Sequence, residues 1–175
     1  MPLAVEAEGH PEGLPAVFRI TNLHGALVTM PHKVTTVRLV NELTTTAKIA
    51  GATNAVLRSA DGSLLGDIFD GGGFVRGMER KRRRIAGARC LVIGCGGVGS
   101  AIAASLAAAG PSAIGLFDPV SASAEALGER LRSHYPGLRV AAGSNDPEGY
   151  DIVVNATPLG MKRKRSSDAL PQWLP

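Results

Sequence analysis

The second half of the chain alternates short apolar runs with helical stretches. Arg89–Ile93, Ala113–Phe117, Leu138–Ala142 and Asp151–Asn155 are apolar at most positions, as expected of strands buried on both faces. Between them, Gly97–Ala109 reads as a helix of small residues ended by Gly110-Pro111. Ser121–His134 reads as a second helix with Ser121 as its N-cap. Strands alternating with helices predict a parallel sheet with right-handed crossovers.

The first half has a different texture. A short helix is expected around Glu12–Ile20 and a short buried strand over Ala26–Thr29, broken by Pro31. Val34, Val37, Val40 and Leu43 recur about one turn apart and predict a helix over Lys33–Leu43. Ala52–Arg58 and Ser63–Asp67 read as two strands joined at Asp61-Gly62, a hairpin signal. Gly71–Gly73 reads as a flexible entry to a linking helix over Phe74–Arg84. No internal repeat is visible, and the tail after Met161 has little pattern.

Composition adds limits. The net charge of +4 is concentrated in two runs, 80–84 and 162–165. Neither is interleaved with aromatic residues, so both read as solvated faces and not as a nucleic-acid platform. Cys90 and Cys95 fit neither a zinc spacing nor a C-x-x-C pair; no metal site and a reducing, cytoplasmic setting are expected. The first residues, MPLAVEAEGHPEG, do not resemble a signal peptide. No apolar run approaches the roughly 18 residues of a membrane span.

The densest chemical signal is Gly94-Cys95-Gly96-Gly97-Val98-Gly99, a G-x-G-x-x-G that follows a strand and opens a helix. Gly94 permits the tight turn, Gly96 lets the backbone approach a pyrophosphate, and Gly99 allows close helix–strand packing. The helix start offers free N–H groups to phosphate oxygens. Asp118 closes the next strand, where an acid accepts from ribose hydroxyls and repels a 2′-phosphate. Pro119 and Val120 follow it and supply no arginine. NAD is therefore expected ahead of NADP. Asn155, Ala156 and Thr157 end the fourth strand, at the side of a parallel sheet where ligands bind, and are expected to line the cofactor cleft. Cys95 reads as a small residue that fits the loop, and Cys90 as core.

Five segments in order resemble the shikimate and quinate dehydrogenase family. They are LVTMPHK (27–33), GATNAV (51–56), GDIFDGGGF (66–74), the cofactor loop GCGGVGSA (94–101) and NATPLGM (155–161). The resemblance runs from about Gly25 to about Met161. It implies that Lys33 and Asp70 are the catalytic pair, and that Thr29 and Asn54 hydrogen-bond substrate hydroxyls. His32 reads as structural, and Asp67 as a weaker site candidate or a polar strand-end residue. Oxidising a secondary alcohol removes a hydride and a proton, and a lysine–aspartate pair can receive the proton. A carboxylate beside an ammonium favours its charged form, so Lys33 is expected to act in part as a donor that polarises the oxygen.

The resemblance implies an incomplete α/β substrate lobe over residues 1–77, then a Rossmann-like cofactor lobe over 78–175. The chain is expected to lack, at its front, a segment bearing a Ser-x-Ser motif and, at its back, the last strands and closing helices. Leu27, Ile68 and Phe69 replace amide and hydroxyl residues of the family motifs. The expected function is reversible NAD(P)-linked oxidation of shikimate, quinate or a related small cyclic hydroxy acid. The alternative is a non-catalytic remnant that binds a nucleotide or a partner. Unpaired sheet edges predict a homo-oligomer, with neither nucleic acid nor membrane as partner.

Overall fold

The computed structural model describes residues 11–20, 22–29 and 31–160. The basic run at 162–165 and the residues at either end of the chain lie outside it. The elements run α1 (Leu14–Ile20), β1 (Gly25–Leu27), β2 (Glu42–Leu43), α2 (Thr45–Ala50), β3 (Ala55–Arg58), β4 (Leu64–Asp67), α3 (Asp70–Arg80), β5 (Arg89–Ile93), α4 (Gly97–Ala108), β6 (Ala113–Phe117), α5 (Ser121–His134), β7 (Arg139–Ala142) and β8 (Ile152–Asn155).

They form two four-stranded sheets. The second has the order β7-β6-β5-β8 and is parallel throughout, as the strand–helix alternation predicts. Cys90, Val92, Ile114, Leu116 and Val154 face one side and form the main core with α4 and α5. The first sheet has the order β1-β3-β4-β2. The β3–β4 hairpin turns where expected, and Asp61 Oδ1 accepts from the Ser63 amide at 2.9 Å.

Helix α4 lies between the second sheet and the helices of the first half. Gly99–Ala104, Leu106 and Ala107 are all buried, because α4 has β5 on one side and α2 and α3 on the other. A helix apolar all round requires such enclosure, and its small side chains let neighbouring backbones come close. At Gly71 a Cβ would lie 2.0 Å from the Ala101 carbonyl oxygen. The glycines at 71–73 are therefore not a flexible entry: they belong to α3, and the first of them seats that helix on α4.

Three other expectations are corrected. Residues 33–43 do not form one helix. A turn leads into a 3-10 segment, Thr35–Leu39, and then β2. The β-branched run Val34-Thr35-Thr36-Val37 weakens helix formation. Asn41 also binds Leu64 twice, its amide to the Leu64 carbonyl and its Oδ1 to the Leu64 amide, each at 2.8 Å, and so draws the chain into the sheet. The first strand is Gly25–Leu27, not Ala26–Thr29, and its Leu27 is 86% exposed. The N-cap of α5 is Val120, without a side-chain bond. Its amide donates to Asp118 Oδ1, a turn contact that leads the chain into α5.

Helix α2 has no counterpart in the sequence reading. Thr44 caps it through the Ala47 amide, and Gly51 ends it at φ +64°, a left-handed conformation that glycine adopts without strain. The segment is too short for a helical period to show. The basic run at 80–84 is exposed and begins at the C-terminal end of α3, where positive charge is favourable.

Candidate active site

Lys33 and Asp70, 37 residues apart, meet. Lys33 Nζ donates to Asp70 Oδ2 at 2.5 Å, with the side chains 13% and 27% exposed. It is the only ion pair among the described residues. Each partner is held from its own backbone. The Lys33 carbonyl accepts from the buried Thr53 at 2.9 Å. Asp70 is the first residue of α3, where the helix start favours a carboxylate.

The neighbouring residues fix this geometry. The His32 carbonyl accepts from both the amide and the hydroxyl of Thr36, while the Thr29 carbonyl accepts from the His32 amide. His32 therefore shapes the turn. Thr29 is exposed, two residues beyond β1. Asn54 is a junction: its carbonyl accepts from Val28, its amide donates to Asp67, and its Oδ1 accepts from the Phe69 amide at 3.0 Å. Asp67 Oδ1 accepts from the Thr44 hydroxyl at 2.6 Å and from the Ile68 amide at 2.7 Å.

The glycine-rich loop lies beside the lysine. A Cβ on Gly97 would stand 3.8 Å from Lys33 Cβ. Gly94 has φ +96°, and a Cβ there would come within 2.9 Å of Ala156. A Cβ on Gly99 would come within 1.8 Å of the Gly94 carbonyl oxygen. At Gly96, by contrast, nothing lies within 4 Å, so the backbone there is open to an approaching group. Gly96 caps α4, and the amides of Gly97, Val98 and Gly99 occupy its first turn, where no helical acceptor exists for them.

Asp118 has a part the fingerprint did not reveal. Its Oδ2 accepts from the Cys95 amide at 2.7 Å, so it fastens the loop as well as the turn into α5. Asn155 Oδ1 accepts from the amide and the hydroxyl of Thr157, and the Ala156 amide donates to Ile93. Asn155, Ala156 and Thr157 thus stand beside the loop, at the carboxyl ends of β5, β6 and β8. Cys95 is buried, and burial, then Asp118, pushes its thiol up to about 11. Burial, then Asp151, pushes Cys90 up to about 11 as well. Neither is an activated nucleophile at neutral pH.

Sequence reading also missed Arg130. Its Nε donates to the Ile49 carbonyl at 2.6 Å and ties α5 to the end of α2. No motif marks it, since its role exists only once the two sheets are together.

The chain is similar to known proteins over both of its halves. The model of the shikimate dehydrogenase substrate binding domain matches residues 1–56, and that of the ThiF family matches residues 74–128. The latter stretch holds the strand, glycine-rich loop and helix. A shikimate dehydrogenase (NADP(+)) of Rubrobacter xylanophilus is 38% identical over 98% of this chain and 60% of its own length. A shikimate 5-dehydrogenase of Listeria monocytogenes, solved with shikimate and NAD, superposes with a TM-score of 0.80 at 29% identity, covering 91% of this chain and 58% of that one. Quinate dehydrogenase of Corynebacterium glutamicum, solved with NAD, gives a TM-score of 0.75 at 28% identity, covering 90% and 58%. The chain spans about 60% of the length of the curated relative. Its ordered motifs, its two sheets and these likenesses make it similar to shikimate dehydrogenases over the stretches matched.

Proposed function

We propose that the chain carries the reacting centre of an NAD(P)-linked dehydrogenase acting on shikimate, quinate or a related cyclic hydroxy acid. The observation that carries this reading is the Lys33–Asp70 bond set against the start of the glycine-rich loop. A nicotinamide cofactor supplies the hydride acceptor. Lys33 and Asp70 act on the substrate oxygen, sharing the proton that leaves as the alcohol becomes a ketone. Asn54 and Thr29 hold further hydroxyls. Residues 1–77 form the substrate lobe and 78–175 the cofactor lobe, with α3 running unbroken across the join. The setting is a reducing cytoplasm, and copies of the chain associate.

The chain's own residues fit a dinucleotide. Gly96 leaves an open cradle, the first turn of α4 offers amides to phosphate oxygens, and Gly94, Gly97, Val98 and Gly99 complete the loop. Asn155, Ala156 and Thr157 border it. Asp118 is held by two backbone amides in the position suited to ribose hydroxyls, and with no following arginine it favours NAD over NADP. The name of the Rubrobacter relative carries NADP(+), so the preference needs a direct measurement. Titrating both cofactors into the chain and into Asp118→Ala provides it. The expected result is tighter NAD binding in the parent and a ratio shifted toward NADP by about tenfold in the variant, the loss of roughly one hydrogen bond to a charged group. An unchanged ratio would refute this role for Asp118.

A second reading, a nucleotide-binding module without turnover, is favoured by the apolar residues Leu27, Ile68 and Phe69 in the two motifs that carry the pair. NAD binding without oxidation of any cyclic hydroxy acid would select it.

A further inference from the structure

The residues around Asn54 combine one polar group with two exposed apolar ones. Asn54 Oδ1 is taken by the Phe69 amide, and its carbonyl by the Val28 amide. Among the described residues nothing accepts from its Nδ2, so Asn54 offers a ligand a donor only. Leu27 precedes Val28 and pairs with Ala55, the residue after Asn54, and is 86% exposed. Phe69 precedes Asp70 and is 53% exposed. Ile68, between β4 and Phe69, is buried in the core between the sheets. Phe69 therefore bonds Asn54 through its own amide and precedes Asp70 in the chain, and Leu27 is one residue from Val28, whose amide bonds the Asn54 carbonyl.

We infer that Leu27 and Phe69 make this site select a secondary alcohol whose ring presents a hydrocarbon face, in preference to a polyhydroxylated ring. The inference rests on the dehydrogenase reading. The reacting hydroxyl needs Lys33 and Asp70, and further oxygens can bond Asn54 and Thr29, which leaves the rest of the ring to Leu27 and Phe69. A hydroxyl set against Leu27 or Phe69 loses its water partners and gains none, whereas a CH2 edge there removes apolar surface from water. The reaction balances as for any such oxidation. The carbinol C–H leaves as hydride to the oxidised nicotinamide and the O–H proton leaves through the pair, giving a ketone and the reduced nicotinamide.

The test compares shikimate with 3-hydroxycyclohex-1-ene-1-carboxylate, which keeps one ring hydroxyl, on the full chain with NAD. It measures kcat/KM by NAD reduction and saturable binding by ligand-observed NMR. The monohydroxy acid is expected to be favoured about tenfold, the scale on which an apolar pocket discriminates. Phe69→Thr is expected to move the ratio several-fold toward shikimate, mainly through KM, and Leu27→Asn to move it the same way. A parent chain that prefers shikimate, or a ratio unmoved by both variants, overturns the inference and leaves the dehydrogenase reading standing. Turnover that persists in Lys33→Ala overturns the catalytic reading while the ratio remains readable. If neither acid is oxidised, the NMR binding ratio decides, and binding of neither acid overturns the inference.

Discussion

At the scale of single residues, the account turns on contacts that sequence motifs mark unevenly. Lys33 and Asp70 were legible because each sits in a dense motif, and the fold brings them to 2.5 Å. The second task of Asp118, holding the Cys95 amide, was not legible, because a spacing rule records that an acid is present and not what else it binds. Lys33→Ala is expected to lower kcat by 10²-fold or more with a small change in NAD affinity, the range of a lost acid–base group; steady-state kinetics and cofactor titration check this. The cysteines give a prediction of their own. Both thiols are raised to about 11 in the folded chain from 9.0. Above pH 9 the unfolded state releases these protons first, so their stabilising contribution, intact below pH 9, is lost as pH rises toward 11. Thermal melts across this range are expected to fall less steeply in a Cys90→Ala, Cys95→Ala double variant than in the parent. Equal slopes would contradict the assignment.

At the scale of elements, legibility followed length and setting. Strands β5, β6, β7 and β8 and helices α4 and α5 were read nearly to the residue, because each is a sustained run whose burial is set by one sheet. The short pieces of the first half were not. Helix α2 is six residues long, and β2 exists because Asn41 binds Leu64 across 23 residues. The glycine run at 71–73 suggests freedom in sequence, but its first glycine is a close contact. That difference is measurable. At Gly71 the added methyl would strike backbone, the Ala101 carbonyl at 2.0 Å. At Gly115 it would strike the Tyr150 hydroxyl at 2.2 Å, the far end of a side chain that can turn aside. Gly71→Ala is therefore expected to destabilise the chain by about 3 kcal/mol and Gly115→Ala by about 1 kcal/mol, within the usual span for overpacking. Urea unfolding of both variants tests this order.

At the scale of the whole molecule, α4 lies between β5 of the second sheet and helices α2 and α3 of the first half, and this brings the glycine-rich start of α4 beside Lys33. The α2–α5 contact supports it, with the Arg130 guanidinium on the Ile49 carbonyl and against Gly51. Arg130→Ala is expected to cost about 1 kcal/mol, the net worth of such a bond, and to speed hydrogen exchange in α2 ahead of β5. Uniformly faster exchange would mean that the two halves are not coupled through this arginine. The parallel sense of the second sheet is legible from alternation alone; how α2 and α3 pack on α4 is not, because small residues that permit close approach leave no periodic trace. The central claim, that this chain holds a working alcohol-oxidising centre, is tested most directly by NAD reduction with shikimate and with quinate, beside Lys33→Ala. The account predicts turnover of a cyclic hydroxy acid that is lost in the variant. A folded, NAD-binding chain that oxidises neither acid, or that turns over equally well without Lys33, would contradict it.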